Sequence, residues 1–221
     1  MRDEADGEIG VLIVDDHRMF AESLARLLAD EPGITVVGIA ATAADGIVLA
    51  VRLQPTVALV DYQMPELDGV AIAAEIKRTH PTIMVVMLTG SADDRLLLAA
   101  IEAGCSGFLT KDRAAAEVAD AVRAAAVGEA LVSPAILARL LPKLGRTQRS
   151  LGSDLTERER EILELLARGW TNKAIASELI LSVNTVRNYV QYVLNKLGAH
   201  SKLEAVSIAV REGIIDYPAH R

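Results

Sequence analysis

Gly10–Asp15 reads GVLIVD, a short unbroken apolar run that ends in acids. A strand with one wet face alternates apolar and polar residues. A run without alternation is what a strand of a parallel sheet presents, buried on both sides, with its carboxyl end here at Asp15. Outward from it, Arg18–Asp30 has helical spacing, with Phe20, Leu24, Leu27 and Leu28 on one face and Pro32 and Gly33 as the stop. Ile34–Ala40 reads as a second strand, and Thr42–Leu53 as a helix opened by a capping threonine. The same beat continues with strand Val57–Asp61, helix Val70–Thr79, strand Ile83–Leu88, helix Ala92–Ala103, strand Gly107–Thr110 and helix Ala114–Val127. Five such alternations predict a doubly wound α/β domain over residues 10–128, a five-stranded parallel sheet covered by helices on both faces. In that architecture the functional crevice lies at the carboxyl ends of the strands. Those ends carry Asp15 and Asp16, then Asp61, Thr89 and Lys111.

Ser133–Leu144 reads as one more helix, and Gly145–Ser153 (GRTQRSLGS) is polar and turn-rich without an apolar period, so residues 129–153 are expected to be a linker with a helix. From residue 154 to 216 the strand pattern is gone. Thr156 and Glu159 form a capping box before the helix Glu157–Arg168, whose apolar positions are Ile162, Leu165 and Leu166. A short helix runs from Thr171/Asn172 to Leu179, another from the cap Ser182 to Leu197, and a last from Lys202 to Glu212. This part is a small all-α domain.

The chain has 221 residues and is 51% hydrophobic but only 3% aromatic, so its cores must be aliphatic. The net charge of −7 argues at first against a nucleic-acid partner. That average is misleading. Residues 1–150 carry 14 Lys+Arg and 21 Asp+Glu, a net of −7, whereas residues 151–221 carry 9 of each, and Ser182–Leu203 holds Arg187, Lys196 and Lys202 with no acid. The single cysteine, Cys105, precludes an internal disulfide and suits a small buried residue better than a reactive thiol. The acidic start MRDEADGE is unlike a secretory leader and the apolar runs are too short to span a bilayer, which together predict a cytoplasmic protein.

Three carboxylates at adjacent strand ends repel one another unless a hard cation joins them, and oxygen ligands of this kind suit Mg²⁺. Beside such an ion a carboxylate can attack a phosphoryl group, and the Lys111 ammonium and Thr89 hydroxyl would meet the charge on its oxygens. Gly90 leaves room there. His17 reads as a solvated first-turn residue. Val14–Asp15–Asp16, the nine residues DYQMPELDG from Asp61 to Gly69, Leu88–Thr89–Gly90 and Phe108–Leu109–Thr110–Lys111 resemble, in order and spacing, the receiver domain of two-component response regulators. The resemblance spans Val11 to Gly128. It implies a flavodoxin-like fold, Asp61 as phosphoacceptor, and Mg²⁺ held by Asp16, Asp61, the Gln63 backbone carbonyl and, through water, Asp15. It also implies Thr89 as the switch hydroxyl, Phe108 as the switch ring and Lys111 as the phosphate counter-ion, with Met64–Pro65 and Asp68–Gly69 shaping the loop. Phe108 stands where the family often has tyrosine, and Asp112 where many receivers have proline.

The C-terminal part resembles the LuxR-type helix-turn-helix through Leu155–Glu161, Asn172–Ala176 and Leu181–Arg187, and the whole chain resembles the NarL/FixJ class. In a helix-turn-helix the second helix enters the major groove. Here Val186, Val190, Val193 and Leu197 share its inward face, leaving Arg187, Asn188 and Gln191 outward for base edges, since Arg suits guanine and Asn or Gln adenine. Thr185, Lys173 and Lys196, and less directly Asn172, would serve phosphates. Tyr189 stands where the family often has histidine. Trp170 is read either as half-buried structure or as packing on the receiver.

The implied function is that of a DNA-binding transcriptional regulator, phosphorylated by a sensor histidine kinase and catalysing only its own phosphorylation and dephosphorylation. Phosphorylation would act by dimerisation, matching paired half-sites on double-stranded DNA, or by release of the DNA-binding domain. A constitutive DNA binder and an aspartyl-phosphate phosphohydrolase are the competing readings. The second would want an acid two residues after its nucleophile, where this sequence has Gln63. A sigma-factor-like role would need a promoter-melting domain in the space the receiver occupies.

Overall fold

The computed structural model describes residues 8–65, 67–90, 93–111, 115–132, 134–140 and 155–216. The first domain comprises β1 (Ile9–Val14), α1 (Arg18–Ala29), β2 (Ile34–Ala40), α2 (Ala43–Leu53), β3 (Val57–Asp61), α3 (Gly69–Thr79), β4 (Met84–Thr89), α4 (Asp94–Glu102), β5 (Gly107–Thr110) and α5 (Ala115–Ala126). The five strands are parallel in the order β2-β1-β3-β4-β5. The order reverses at β1, which puts the switch-point crevice over β1 and β3. The Gly145–Ser153 linker, Asp112, and the expected helix starts at Ala92, Ala114 and Ser133 lie outside the described residues.

The lack of alternation in β1 has its cause in the two layers. Val11 and Ile13 point to the face packed with Ala21, Leu24 and Leu28 of α1 and Val118 and Val122 of α5. Leu12 and Val14 point to the other, with Ala50 of α2 and Ile72 and Ile76 of α3. All four are fully buried. The face of α1 differs from expectation. Ala21, Leu24 and Leu28 are its buried positions, while Leu27 is 48% exposed, because a stripe at i, i+3, i+7 leaves residue 27 one step round the helix.

Beyond α5 the chain does not leave the sheet at once. Residues 129–132, placed in the linker by sequence, run beside β5: Phe108 N–H donates to the Leu131 carbonyl at 3.0 Å, and Leu131 N–H to that of Ser106 at 2.9 Å. Then come α6 (Pro134–Leu140), α7 (Glu157–Ala167), α8 (Asn172–Glu178), α9 (Val183–Leu197) and α10 (Lys202–Arg211). The Thr156/Glu159 capping box forms, and Thr171, Ser182 and Ser201 cap the next three helices through N3 or N2 backbone N–H groups. Val186, Val190, Val193 and Leu197 of α9 are all buried. Their core is shared: Ile162, Leu166, Val206 and Val210 form one cluster with Leu97 and Ile101 of α4 and Leu137 and Leu140 of α6.

Candidate phosphoryl site and nucleic-acid interface

Four of the five strands deliver the side chains of the crevice, β1 two and β3, β4 and β5 one each. Asp15 and Asp16 follow β1, Asp61 and Thr89 are the last residues of β3 and β4, and Lys111 follows β5. Lys111 Nζ lies 2.7 Å from Asp15 Oδ2 and 2.9 Å from Asp61 Oδ2. It also stands 4.9 Å above the Phe20 ring, a cation–π contact that orients the amine. Burial pushes the Asp61 carboxyl above the ordinary aspartate range, and Asp15 adds to this, while Lys111 and the Gln63 backbone N–H pull it down. Burial alone would lower Lys111, yet its bonds to Asp15 and Asp61 outweigh burial and leave it raised. The pocket is therefore a cation between two acids, with more negative charge than one ammonium balances.

That surplus is where a metal fits. Ligand atoms of Asp15, Asp16, His17 and Asp61 lie within 4.8 Å of one another. Asp15 Oδ2, Asp16 Oδ1 and Asp61 Oδ2 are buried, and their close polar neighbours are the Lys111 amine and the His17 ring. His17 is solvated, as expected, but not remote from the acids. Its ring is 65% exposed, but Nδ1 turns inward to 3.0 Å from Asp16 Oδ1 and 3.9 Å from Asp61 Oδ2. The sequence signal was its position directly after the acid pair.

The loop after β3 is held as its motif implied. Asp68 caps α3 by accepting from Ala71 N–H at 2.8 Å, and Met64 is buried in the core. A Cβ on Gly69 would stand 2.2 Å from the Asp61 carbonyl oxygen, so any larger residue displaces the backbone at Asp61. A Cβ on Gly90 would meet nothing within 4 Å, so open space remains beside Thr89. Thr89 is buried, and Phe108 is half-buried between the α2–α3 core and the shared core.

The second domain docks on the first through polar contacts that the sequence did not reveal. Glu129 is bidentate: Oε2 accepts from Lys202 Nζ at 2.8 Å and Oε1 from Asn172 N–H at 3.2 Å. Ser201 Oγ donates to the Cys105 carbonyl at 3.0 Å. Lys77, only 1% exposed, donates to the carbonyls of Pro81 at 3.0 Å and His200 at 3.3 Å. The one clue was the acid-free stretch Ser182–Leu203, whose lysine had to find its carboxylate elsewhere. Trp170 is half-buried structure, the first of the two readings given for it: it packs against the shared core and lines a small cavity with Ala130 and Val132 of the segment along β5. Cys105 is fully buried and its thiol is pushed up to about 12 by burial. Ellman's reagent should leave it unmodified in the native protein and titrate it in urea; fast reaction in native buffer would contradict this.

Burial lowers the Lys77 amine from 10.5 to about 8. A lysine depressed in the folded state is protonated in both states below pH 8. Between pH 8 and 10.5 only the unfolded chain keeps the proton, so stability rises with pH in that window. The full gain is about 3 kcal/mol at ~1.4 kcal/mol per pKa unit. Denaturant midpoints should climb from pH 8 to 10 in the wild type and stay flatter in Lys77→Met.

Arg187, Asn188 and Gln191 are exposed on the outer face of α9, as expected, and Lys173 is exposed on α8. Thr185 is half-buried, its Oγ1 2.7 Å from Ser182 Oγ. Lys196 and Asn172 have protein partners or burial instead of open exposure. Lys196 Nζ is 2.7 Å from the buried Glu159 carboxylate, and Asn172 is 2% exposed at the domain junction. Arg187 and Gln191 line a cleft whose opposite wall is Met84, Ser106 and residues 126–130 of the first domain. Asn188, the third of these side chains, does not line that cleft.

Residues 11–123 match the family described as Response regulator receiver domain, and residues 153–209 match Bacterial regulatory proteins, luxR family. The chain belongs to the response regulators that join a receiver to a LuxR-type helix-turn-helix, and it is a transcription regulator of the two-component type. Among its relatives, the Response regulator protein VraR of Staphylococcus epidermidis is 36% identical over 94% of this chain and 99% of its own length. The Transcriptional regulatory protein LiaR of Bacillus subtilis is 36% identical over 94% and 100%. A solved structure of two RcsB dimers bound to two parallel DNAs superposes with a TM-score of 0.54, at 25% identity, over 93% of this chain and 99% of that one. No helix among the described residues is long and apolar enough to cross a membrane.

Proposed function

We propose that Asp61 is the phosphoacceptor and that its phosphorylation frees α9 for DNA. The observation that supports this most directly is the pairing of an under-neutralised Asp61, held by Lys111, with a DNA-reading face turned against the receiver. An Asp61 carboxylate oxygen attacks the phosphorus of a phosphohistidine on the sensor kinase. The P–N bond breaks, and the departing imidazole carries away the electron pair and takes a proton. Lys111 and the Thr89 hydroxyl receive the phosphoryl oxygens. Asp15, Asp16, Asp61 and the Gln63 backbone carbonyl would hold Mg²⁺, which would supply the positive charge that lets these acids and a phosphoryl group share one crevice. The chemistry stops at the receiver's own phosphorylation and dephosphorylation, because Gln63 gives no proton donor for turnover of other substrates.

Thr89 drawn to the phosphoryl group shifts β4–α4, and Phe108 follows into the space it leaves. Since α4 contributes Leu97 and Ile101 to the shared core, this biases an equilibrium between docked and released domains. Released, Arg187, Asn188 and Gln191 address base edges and Lys173 and Thr185 phosphates, with Lys196 joining them if it leaves Glu159. Two copies of the phosphorylated protein then match paired half-sites. A kinase partner and a DNA target place the protein in the cytoplasm. Gel shift with and without acetyl phosphate tests the reading: equal DNA affinity in both states would defeat gating.

A further inference from the structure

The cleft that shields α9 has a volume of about 400 Å³, inside the ~300–1,000 Å³ range of small-molecule sites. Its walls are unequal in character. Val190 and Leu194 of α9 face Met84 and Ala126 of the receiver across an apolar floor. Above the floor stand two cations, Arg187 and Lys202. Glu129 is the one carboxylate among the lining residues, and both its oxygens are engaged, by Lys202 and by Asn172 N–H. Arg187 keeps no carboxylate partner among the described residues; its bond is to Asn184 Oδ1 at 3.3 Å. Burial lowers the Lys202 amine, Glu129 opposes this, and repulsion from Arg187 lowers it further, so the cleft carries uncompensated positive charge. A second orphan points to a ligand as well: Asn172, 2% exposed and lining the same cleft, has a buried Oδ1 that accepts no hydrogen bond.

We infer that this cleft binds a small amphipathic organic anion, its acid group on Arg187, its apolar body on Val190 and Leu194, and an N–H or O–H donor directed to Asn172 Oδ1. Because both domains build the walls, such a ligand binds the docked arrangement and not the released one. It would hold Arg187 and Gln191 from DNA, and DNA would in turn weaken the ligand by the same factor. Only this regulatory consequence rests on the proposed role of α9; the binding itself rests on the cleft.

The probe is 8-anilinonaphthalene-1-sulfonate, which joins an anion, an apolar body and an anilino N–H. Titrated into the unphosphorylated full chain, it should give a saturable fluorescence rise at one equivalent. Arg187→Ala should weaken it about tenfold. Val127→Trp, a change at a 48% exposed residue on the rim, should weaken it by obstruction while leaving the fold intact. N-phenylanthranilate should displace the dye and the uncharged diphenylamine should not. Non-saturable binding, unchanged affinity in both variants, or equal displacement by diphenylamine would overturn the inference. If acetyl phosphate leaves dye binding unchanged while both variants weaken it, the cleft is a ligand site and the proposed gating is what fails.

Discussion

Asp61→Asn protein should take up no phosphoryl group from acetyl phosphate and Mg²⁺, where the wild type runs as a shifted band on a phosphate-affinity gel. The amide keeps the shape of the carboxylate and loses the anionic oxygen that attacks phosphorus. The same variant should also be more stable. Burial and Asp15 both disfavour the Asp61 charge, and removing it relieves them while Lys111 keeps Asp15 at 2.7 Å. A rise in Tm is expected from relief of this perturbed carboxylate. Loss of phosphorylation together with a rise in Tm is the mark of a site held for chemistry at the expense of stability. A variant that still shifts on the gel would move the phosphoacceptor elsewhere; one that is inert and destabilised would make Asp61 a structural residue.

Glu129→Ala should convert the protein into a phosphorylation-independent DNA binder. The substitution strands the Lys202 ammonium, whose side chain is 5% exposed, and removes the acceptor of Asn172 N–H. Truncating one partner of a buried, hydrogen-bonded charge pair costs about 2–5 kcal/mol. Here the chain can avoid that cost by undocking, which returns Lys202 to water. Even the lower bound moves the docked-to-released ratio about thirtyfold, since ~1.4 kcal/mol is a factor of ten. DNA affinity without acetyl phosphate should therefore approach that of the phosphorylated wild type, and the radius of gyration should grow in small-angle scattering. Glu129→Gln, which keeps an acceptor, should fall between. An unchanged radius with unchanged DNA binding would show that the apolar seam alone sets the docking.

How far the sequence spoke depends on the range of each interaction. Ile34–Ala40, Val57–Asp61 and Gly107–Thr110 form strands over the expected residues, because short apolar, β-branched runs bounded by turn residues are a local record; of the three only Val57–Asp61 is buried throughout. The five crevice residues were legible because a parallel sheet brings its carboxyl ends together whatever the details of packing. Caps such as Thr156, Ser182 and Thr42 are equally local. Leu27 failed for a graded reason: helical spacing gives a stripe but not its edges, and the buried stripe centres on Leu28, between Leu24 and Ala21. Glu129, Lys77 and Ser201 were silent since each acts on a group more than seventy residues away, across a junction that exists only after both domains have folded. Lys196 looked like a free cation for the same reason; Glu159 reaches it from the start of another helix.

The aliphatic seam that joins Leu97 and Ile101 to Ile162, Val206 and their neighbours has one more consequence. Opening it wets apolar surface, which carries a positive heat-capacity change. Apolar burial weakens on cooling, whereas the Glu129 and Lys77 contacts have no such dependence in common with it. Under the proposed gating, the balance between docked and released forms would drift with temperature without any change in phosphorylation, and a culture shifted to the cold would find this regulator leaning toward its released form.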